Sequence, residues 1–137
     1  PVLLGDGRVL MVGGFNGTFI PLALNAIADC EVYDPAQNSW SPWAALNHAR
    51  ANASVMVLSG GSLLALGGAD GAALGPQPVL FVERWDPSSS AWTQLANLNV
   101  PRAWQTAGLL PGGKHAAVVG GGDQAAYGIP RVEFYTH

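Results

Sequence analysis

Short apolar runs that end in two glycines recur along the chain, as VLMVGG from Val9 to Gly14, LLALGG from Leu63 to Gly68 and AAVVGG from Ala116 to Gly121. Each is followed, after a loop, by a glutamate and then an aromatic: Glu31 and Tyr33, Glu83 and Trp85, Glu133 and Tyr135. In the first two copies a tryptophan follows that aromatic seven positions on, Trp40 after Tyr33 and Trp92 after Trp85. Paired glycines and spaced aromatics recurring about every 50 residues mark a stacked or radial β-repeat. The runs are too short for helices and are bounded by Gly, Pro and Asp, so each predicts a strand.

The middle copy predicts a full unit. Ser54 to Leu58 form a first strand, and Ser59-Gly60-Gly61 a tight turn. Leu63 to Leu66 form a second strand that stops at Gly67-Gly68. A longer loop through Asp70, Gly75 and Pro76 leads to a third strand from about Val79 to Trp85. Asp86-Pro87 and the serines after it turn the chain into a fourth strand around Trp92, from Ala91 to Leu95. The result is an all-β antiparallel meander, hydrophobic enough to be covered on both faces. Gly5-Asp6-Gly7 and Pro111-Gly112-Gly113 align with the first turn, and Arg102 follows Arg50 at the repeat spacing, both shortly after a Leu-Asn pair.

The glycine pair, the Tyr33 or Trp85 aromatic, the Asp-Pro turn and the Trp40 or Trp92 spacing together resemble the kelch repeat. That resemblance implies blades of a β-propeller, a fold that closes with four to eight of them. Residues 1–49 are read as a first blade lacking the start of its first strand. Residues 50–101 make a complete second blade, and 102–137 a third without its fourth strand. The rest of the propeller is then expected from a longer chain or from other subunits. Trp40 and Trp92, equally spaced from their aromatics, are both expected to be buried between strands.

Composition excludes more than it selects. The formal charge is −3 and the six Lys and Arg are scattered, so no basic patch suggests nucleic acid. No apolar stretch approaches the roughly 18 residues of a membrane helix, and no membrane partner is expected. The single cysteine, Cys30, allows no internal disulfide and points to a reducing, cytoplasmic compartment.

The repeat also absorbs most residues that could carry chemistry. All three glutamates, Glu31, Glu83 and Glu133, share one repeat position, and Arg50 and Arg102 share another. Such residues read as architectural, satisfying polar groups near blade interfaces through charge-assisted hydrogen bonds. The glycine pairs lack the following helix that a phosphate site needs, so tight backbone approach between strands accounts for them better. His48 aligns with Val100, His115 with Leu63 and Val9, and His137 is the last residue; none has metal-ligand spacing. Cys30, aligned with Val82 and Val132, reads as a small buried hydrophobe. No nucleophile elbow or Ser-His-Asp order is present, so no catalytic residue, cofactor or metal is expected.

What remains are positions where the copies differ. In the family that the repeats resemble, the loops after the glycine pair and those entering the innermost strand share one face around the central channel. That resemblance gathers Phe15, Asn16, Asn52, Asp70, Trp104 and Asp123 into a face for a protein partner. Loops on a rigid scaffold are where binding concentrates. Two finer readings stand beside a plain interaction scaffold. GGFNG and CEVYDPAQNSW resemble the propeller of a cullin-ring ubiquitin ligase adaptor. LLGDGRVLMVGG is also similar to the galactose-oxidase-like group, which implies a copper site with Tyr and His ligands and a Tyr–Cys crosslink.

Overall fold

A computed structural model describes residues 1–19, 22–71, 75–122 and 128–137. Its strands form three antiparallel sheets. Sheet one runs β1 (Val2–Leu3), β2 (Val9–Phe19), β3 (Leu22–Asp34) and β4 (Ser39–Trp43) in spatial order. Sheet two runs β5 (Ser54–Val57), β6 (Leu63–Leu66), β7 (Val82–Asp86) and β8 (Ala91–Gln94). Sheet three pairs β9 (Thr106–Leu109), β10 (His115–Val119) and β11 (Val132–Thr136), with β10 in the middle. These meanders have the form of propeller blades, and among the described residues they do not close into a ring.

Strand register explains how the blades stack. Successive residues of a strand point to opposite faces, so each blade has one face toward its predecessor and one toward its successor. Val57, Leu63, Trp85 and Trp92 form one cross-strand row in sheet two, and Val55, Ala65 and Glu83 the next. Leu63, Ala65, Trp85 and Trp92 pack with Leu10, Cys30, Val32 and Leu46 of the sheet-one unit. The alternate residues Met56, Leu64, Leu66 and Val82 pack instead with Ala116, Val118 and Tyr135 of sheet three. Sheet two is therefore buried on both sides, and β6 is buried along its whole length.

The outer faces differ. On sheet one the row matching Val57, Leu63, Trp85 and Trp92 is Leu3, Val9, Tyr33 and Trp40. Trp40 is 53% exposed, whereas Trp92 is 6% exposed. The expectation that both are buried is therefore corrected for Trp40. Trp92 is covered because the strand exit of sheet one lies over it, and its indole N–H donates to the Ala44 carbonyl at 2.9 Å. Over Trp40 no described segment takes that place, and the ring rests against Tyr33 with centroids 5.1 Å apart. At the far end, Val119, Val132 and Phe134 of sheet three are exposed in the same way.

Three further expectations change. The first glycine pair does not open a loop: β2 continues through it with a bulge between Val12 and Gly14, and pairs with β3 as far as Phe19 and Leu22. This long hairpin leans on the sheet-two loop at Gly71, where any side chain would collide with the backbone of Leu24, Asn25 and Ala26. The third strand of the middle unit starts at Val82 rather than near Val79, because Val79 is held instead by the Gly68 carbonyl at 2.9 Å. His115 aligns with Ser62, not with Leu63 and Val9. Leu63 pairs with Trp85 and Ala116 with Tyr135, so Ala116 holds the position assigned to His115.

Unequal covering of equivalent tryptophans makes the stacking testable. Trp92→Ala is expected to cost about 3–5 kcal/mol, the scale for removing a buried aromatic. Trp40→Ala is expected to stay within about 1 kcal/mol of the parent. Chemical denaturation of the two variants measures the difference, and equal losses would contradict the stacking described here.

Candidate interaction site

The segments joining the sheets place the site. Both read Ala-x-Leu-Asn-x-x-Arg, as Ala44 to Arg50 and Ala96 to Arg102. Each is first tied to the sheet it leaves: Leu46 N–H donates to Ala28 at 2.9 Å, and Leu98 N–H to Leu80 at 2.9 Å. Its side chains then reach the sheet ahead. The Glu83 carboxylate, fully buried, accepts the Asn47 backbone and side-chain N–H groups at 2.7 Å on one oxygen. Its other oxygen accepts the His48 N–H at 3.1 Å and the Arg50 guanidinium at 2.5 Å. Arg50 also donates to the Phe81 carbonyl at 2.8 Å. His48 stacks on Phe81 with ring centroids 3.9 Å apart.

The second joint repeats this chemistry less tightly. Glu133 accepts the Asn99 backbone N–H at 2.6 Å and its side-chain amide at 2.8 Å, and Arg102 approaches to 3.5 Å. Arg102 donates to the Gly120 carbonyl at 3.0 Å. Burial pushes the Arg50 pKa down, and the charge of Glu83 opposes that shift. At the first joint both oxygens of the buried carboxylate are hydrogen-bonded, which offsets its desolvation, while Arg50 Nε has no partner among the described residues. The architectural reading of these Arg and Glu residues agrees with this geometry. The role of Asn47 and Asn99 was missed, although their shared spacing from the arginines was visible in the sequence.

The same arginines explain the glycine pairs. The Arg50 carbonyl accepts the Gly14 N–H at 3.0 Å, and the Arg102 carbonyl accepts the Gly68 N–H at 2.9 Å. A Cβ on Gly67, at φ +57°, would lie 2.7 Å from the Arg102 carbonyl oxygen, and one on Gly13 would collide with that of Arg50. A Cβ on Gly68 would meet the Ala51 carbonyl at 2.6 Å, and one on Gly121 that of Ala103 at 2.8 Å. The approach is therefore from the joining segments rather than from neighbouring strands.

Just past each arginine the backbone turns left-handed at a non-glycine residue, Asn52 at φ +55° and Trp104 at φ +57°. That conformation is ordinary for Asn and costly for Trp. The turn lifts the Trp104 indole over Gly122 and leaves the residue 57% exposed. A cavity of about 510 Å³ opens there, lined by Phe15, Asn52, Trp104 and Gln105 together with Val12 and Val55. Gln105 is buried, donates to the Leu66 carbonyl at 2.7 Å, and has a side-chain oxygen with no hydrogen-bond partner among the described residues.

Of the residues expected to share a binding face, the cavity thus brings together Phe15, Asn52 and Trp104. Phe15 and Asn16 lie in the β2–β3 ladder rather than in a loop, and Asn16 pairs with Asn25 away from the lining. Asp70 holds its own loop, accepting the Gln77 N–H at 3.2 Å. Asp123 lies outside the described residues. Gln105 was not anticipated, since its copy in the preceding unit is the small Ala53 and only the fold shows the oxygen left unpaired. The cavity carries no titratable side chain in its lining and is suited to apolar and amide contacts.

Cys30 is buried, with its thiol 3.5 Å from the Ala28 carbonyl, and burial raises its pKa. It lies on the face of β3 opposite Tyr33, since alternate residues diverge.

A model of the Kelch motif matches residues 2–46. An F-box/kelch-repeat protein of Arabidopsis thaliana is 32% identical over 105 residues, covering 74% of this chain and 25% of the relative. A second F-box/kelch-repeat protein of that plant is 28% identical over 98 residues, covering 72% and 19%. Kelch-like protein 21 of Homo sapiens is 32% identical over 77 residues, covering 56% and 12%. This chain spans a quarter or less of the length of these relatives.

Glu83→Ala is expected to destabilise the chain by about 3–5 kcal/mol, because it leaves the Arg50 charge buried without its partner. The double change Glu83→Leu with Arg50→Met is expected to recover much of that loss in the same denaturant titration. A Glu83→Ala chain of parental stability would remove the joint from its structural role. Because its thiolate is disfavoured and shielded, Cys30 is expected to resist a disulfide reagent near pH 8 until denaturant is added. Rapid labelling of the folded chain would contradict its burial.

Proposed function

Because the chain belongs to the kelch-repeat family, we propose that it is a non-enzymatic protein-interaction scaffold that takes a partner segment at the cavity beneath Trp104. The observation that carries this reading is Trp104 itself. A large indole is held in a costly left-handed backbone conformation and is still presented to solvent. Strain retained by its surroundings is a recurrent property of functional positions. An exposed Trp beside amide groups is also the usual composition of an interface anchor. Phe15 and Val55 supply apolar area, while the Asn52 side-chain amide offers hydrogen bonds to a peptide backbone. The partner is accordingly an extended peptide with an apolar side chain and a donor N–H.

The finer reading, a substrate-recognition propeller of a cullin-ring adaptor, rests on the likeness of GGFNG and CEVYDPAQNSW. It is tested by whether a cullin co-purifies with the full-length protein. A cytoplasmic location, proposed from the lone free cysteine, is tested by imaging that same protein.

Peptides selected on the chain by display are the probe for the cavity. Trp104→Ala is expected to weaken their binding by about 2 kcal/mol, measured by calorimetry, with fold stability little changed. Selected peptides that bind the variant unchanged, or that contact the Gly5-Asp6-Gly7 turns, would overturn the assignment.

A further inference from the structure

After each arginine the chain makes the same two-bond bridge to the residue that follows a glycine pair. Ala51 and Ala69 exchange N–H···O bonds at 2.9 and 2.8 Å, and Ala103 and Gly122 do so at 3.3 and 2.9 Å. The left-handed residue comes next in both copies, Asn52 at φ +55° and Trp104 at φ +57°. The backbone is thus the same in both copies, and two side chains differ together. Asn52 goes with Ala69, which is wholly buried, and Trp104 goes with Gly122. Nothing in the turn itself calls for an indole, since Asn52 makes it with a residue suited to that conformation.

Gly122 is a glycine that its backbone does not require. Gly120 and Gly121 before it have φ of +68° and +95°, but Gly122 lies outside the left-handed region. Among the described residues, a Cβ on Gly122 would meet only Trp104, at 3.6 Å from Cε3 and 3.8 Å from Cζ3 of the indole. The ring therefore rests on bare backbone at van der Waals distance, and a branched side chain at that position has to displace it. Gly122 takes no part in the cavity lining, so it reaches the cavity only through the indole. Building on the cavity as a binding site, we propose that Gly122 is a positioning residue that seats the Trp104 indole, and that the fold gives up stability at Trp104 to keep this anchor in place. A partner then meets an aromatic already oriented, which lowers the ordering cost of binding.

Two measurements on the free 137-residue chain test this without any partner. Trp104→Asn copies the preceding turn and is expected to raise the denaturation midpoint. Gly122→Val is expected to shift the Trp104 indole N–H resonance, whereas Gly122→Ala, whose methyl fits against the ring, is expected to leave it in place. The third measurement is calorimetry with the display-selected peptides. Trp104→Asn and Gly122→Val are each expected to weaken binding by at least about tenfold, and Gly122→Ala by no more than about twofold. With Asn at position 104, Gly122→Val is expected to cost no further affinity, because its effect passes through the indole. A Trp104→Asn chain no more stable than the parent would overturn the proposal. So would an unmoved indole resonance in Gly122→Val, or full peptide affinity in Gly122→Val when Trp104→Asn has lost it. An equal loss of affinity from Gly122→Val in both backgrounds would overturn it as well. Peptide binding that no variant changes would instead remove the cavity as the binding site, and the proposal with it, whatever the free-chain measurements show.

Discussion

The buried contact between each joining arginine and the glutamate of the next sheet organises this molecule. A four-stranded meander has two apolar faces and cannot bury both alone, so its stability depends on how neighbours are held against it. Arg50 does this with both ends of the residue. Its carbonyl sits on the glycine pair of the sheet just left, and its guanidinium ends on Glu83 of the sheet ahead. Asn47 fills the other carboxylate oxygen, so the carboxylate is buried with both of its oxygens hydrogen-bonded. An apolar joint would stack blades as well, but it would not set their register along the strands as narrowly. We regard that registration as the reason a costly ion pair is kept here.

The proposed binding face follows from the same device. Because the arginine carbonyl must reach the glycine pair, the chain just beyond it has to turn sharply, and it does so through left-handed residues. In one copy that residue is Asn52 and in the next Trp104. A tight crossing made for stacking therefore carries the side chain of its turn residue up to the surface. The architecture fixes the backbone there and leaves the side chain free to vary, which is how a repeat scaffold acquires a site without changing its core.

Functional reading and structural reading meet at this face only in part. Phe15, Asn52 and Trp104 converge because three different sheets bring their glycine-pair ends together. Asn16 and Asp70 do not join them, since one belongs to a hairpin ladder and the other is engaged in its own loop. Position in the repeat was enough to nominate residues, but not to say which way each would be turned.

The sequence by itself determined the all-β class, the repeat and its period, the places of most strands and the structural character of Arg50, Arg102, Glu83 and Glu133. These are local or periodic properties: Gly and Pro punctuate the chain, and Arg50 with Glu83 performs the same task as Arg102 with Glu133. Tertiary structure alone decided what covers each equivalent position. Trp40 and Trp92 have the same spacing and the same strand partners, yet one faces solvent and the other a neighbouring segment. It also decided that the first glycine pair continues as a hairpin, because whether two flanks pair across a long connection depends on where they are held. Burial and pairing belong to neighbours distant in sequence, and a linear pattern records the residue but not its surroundings.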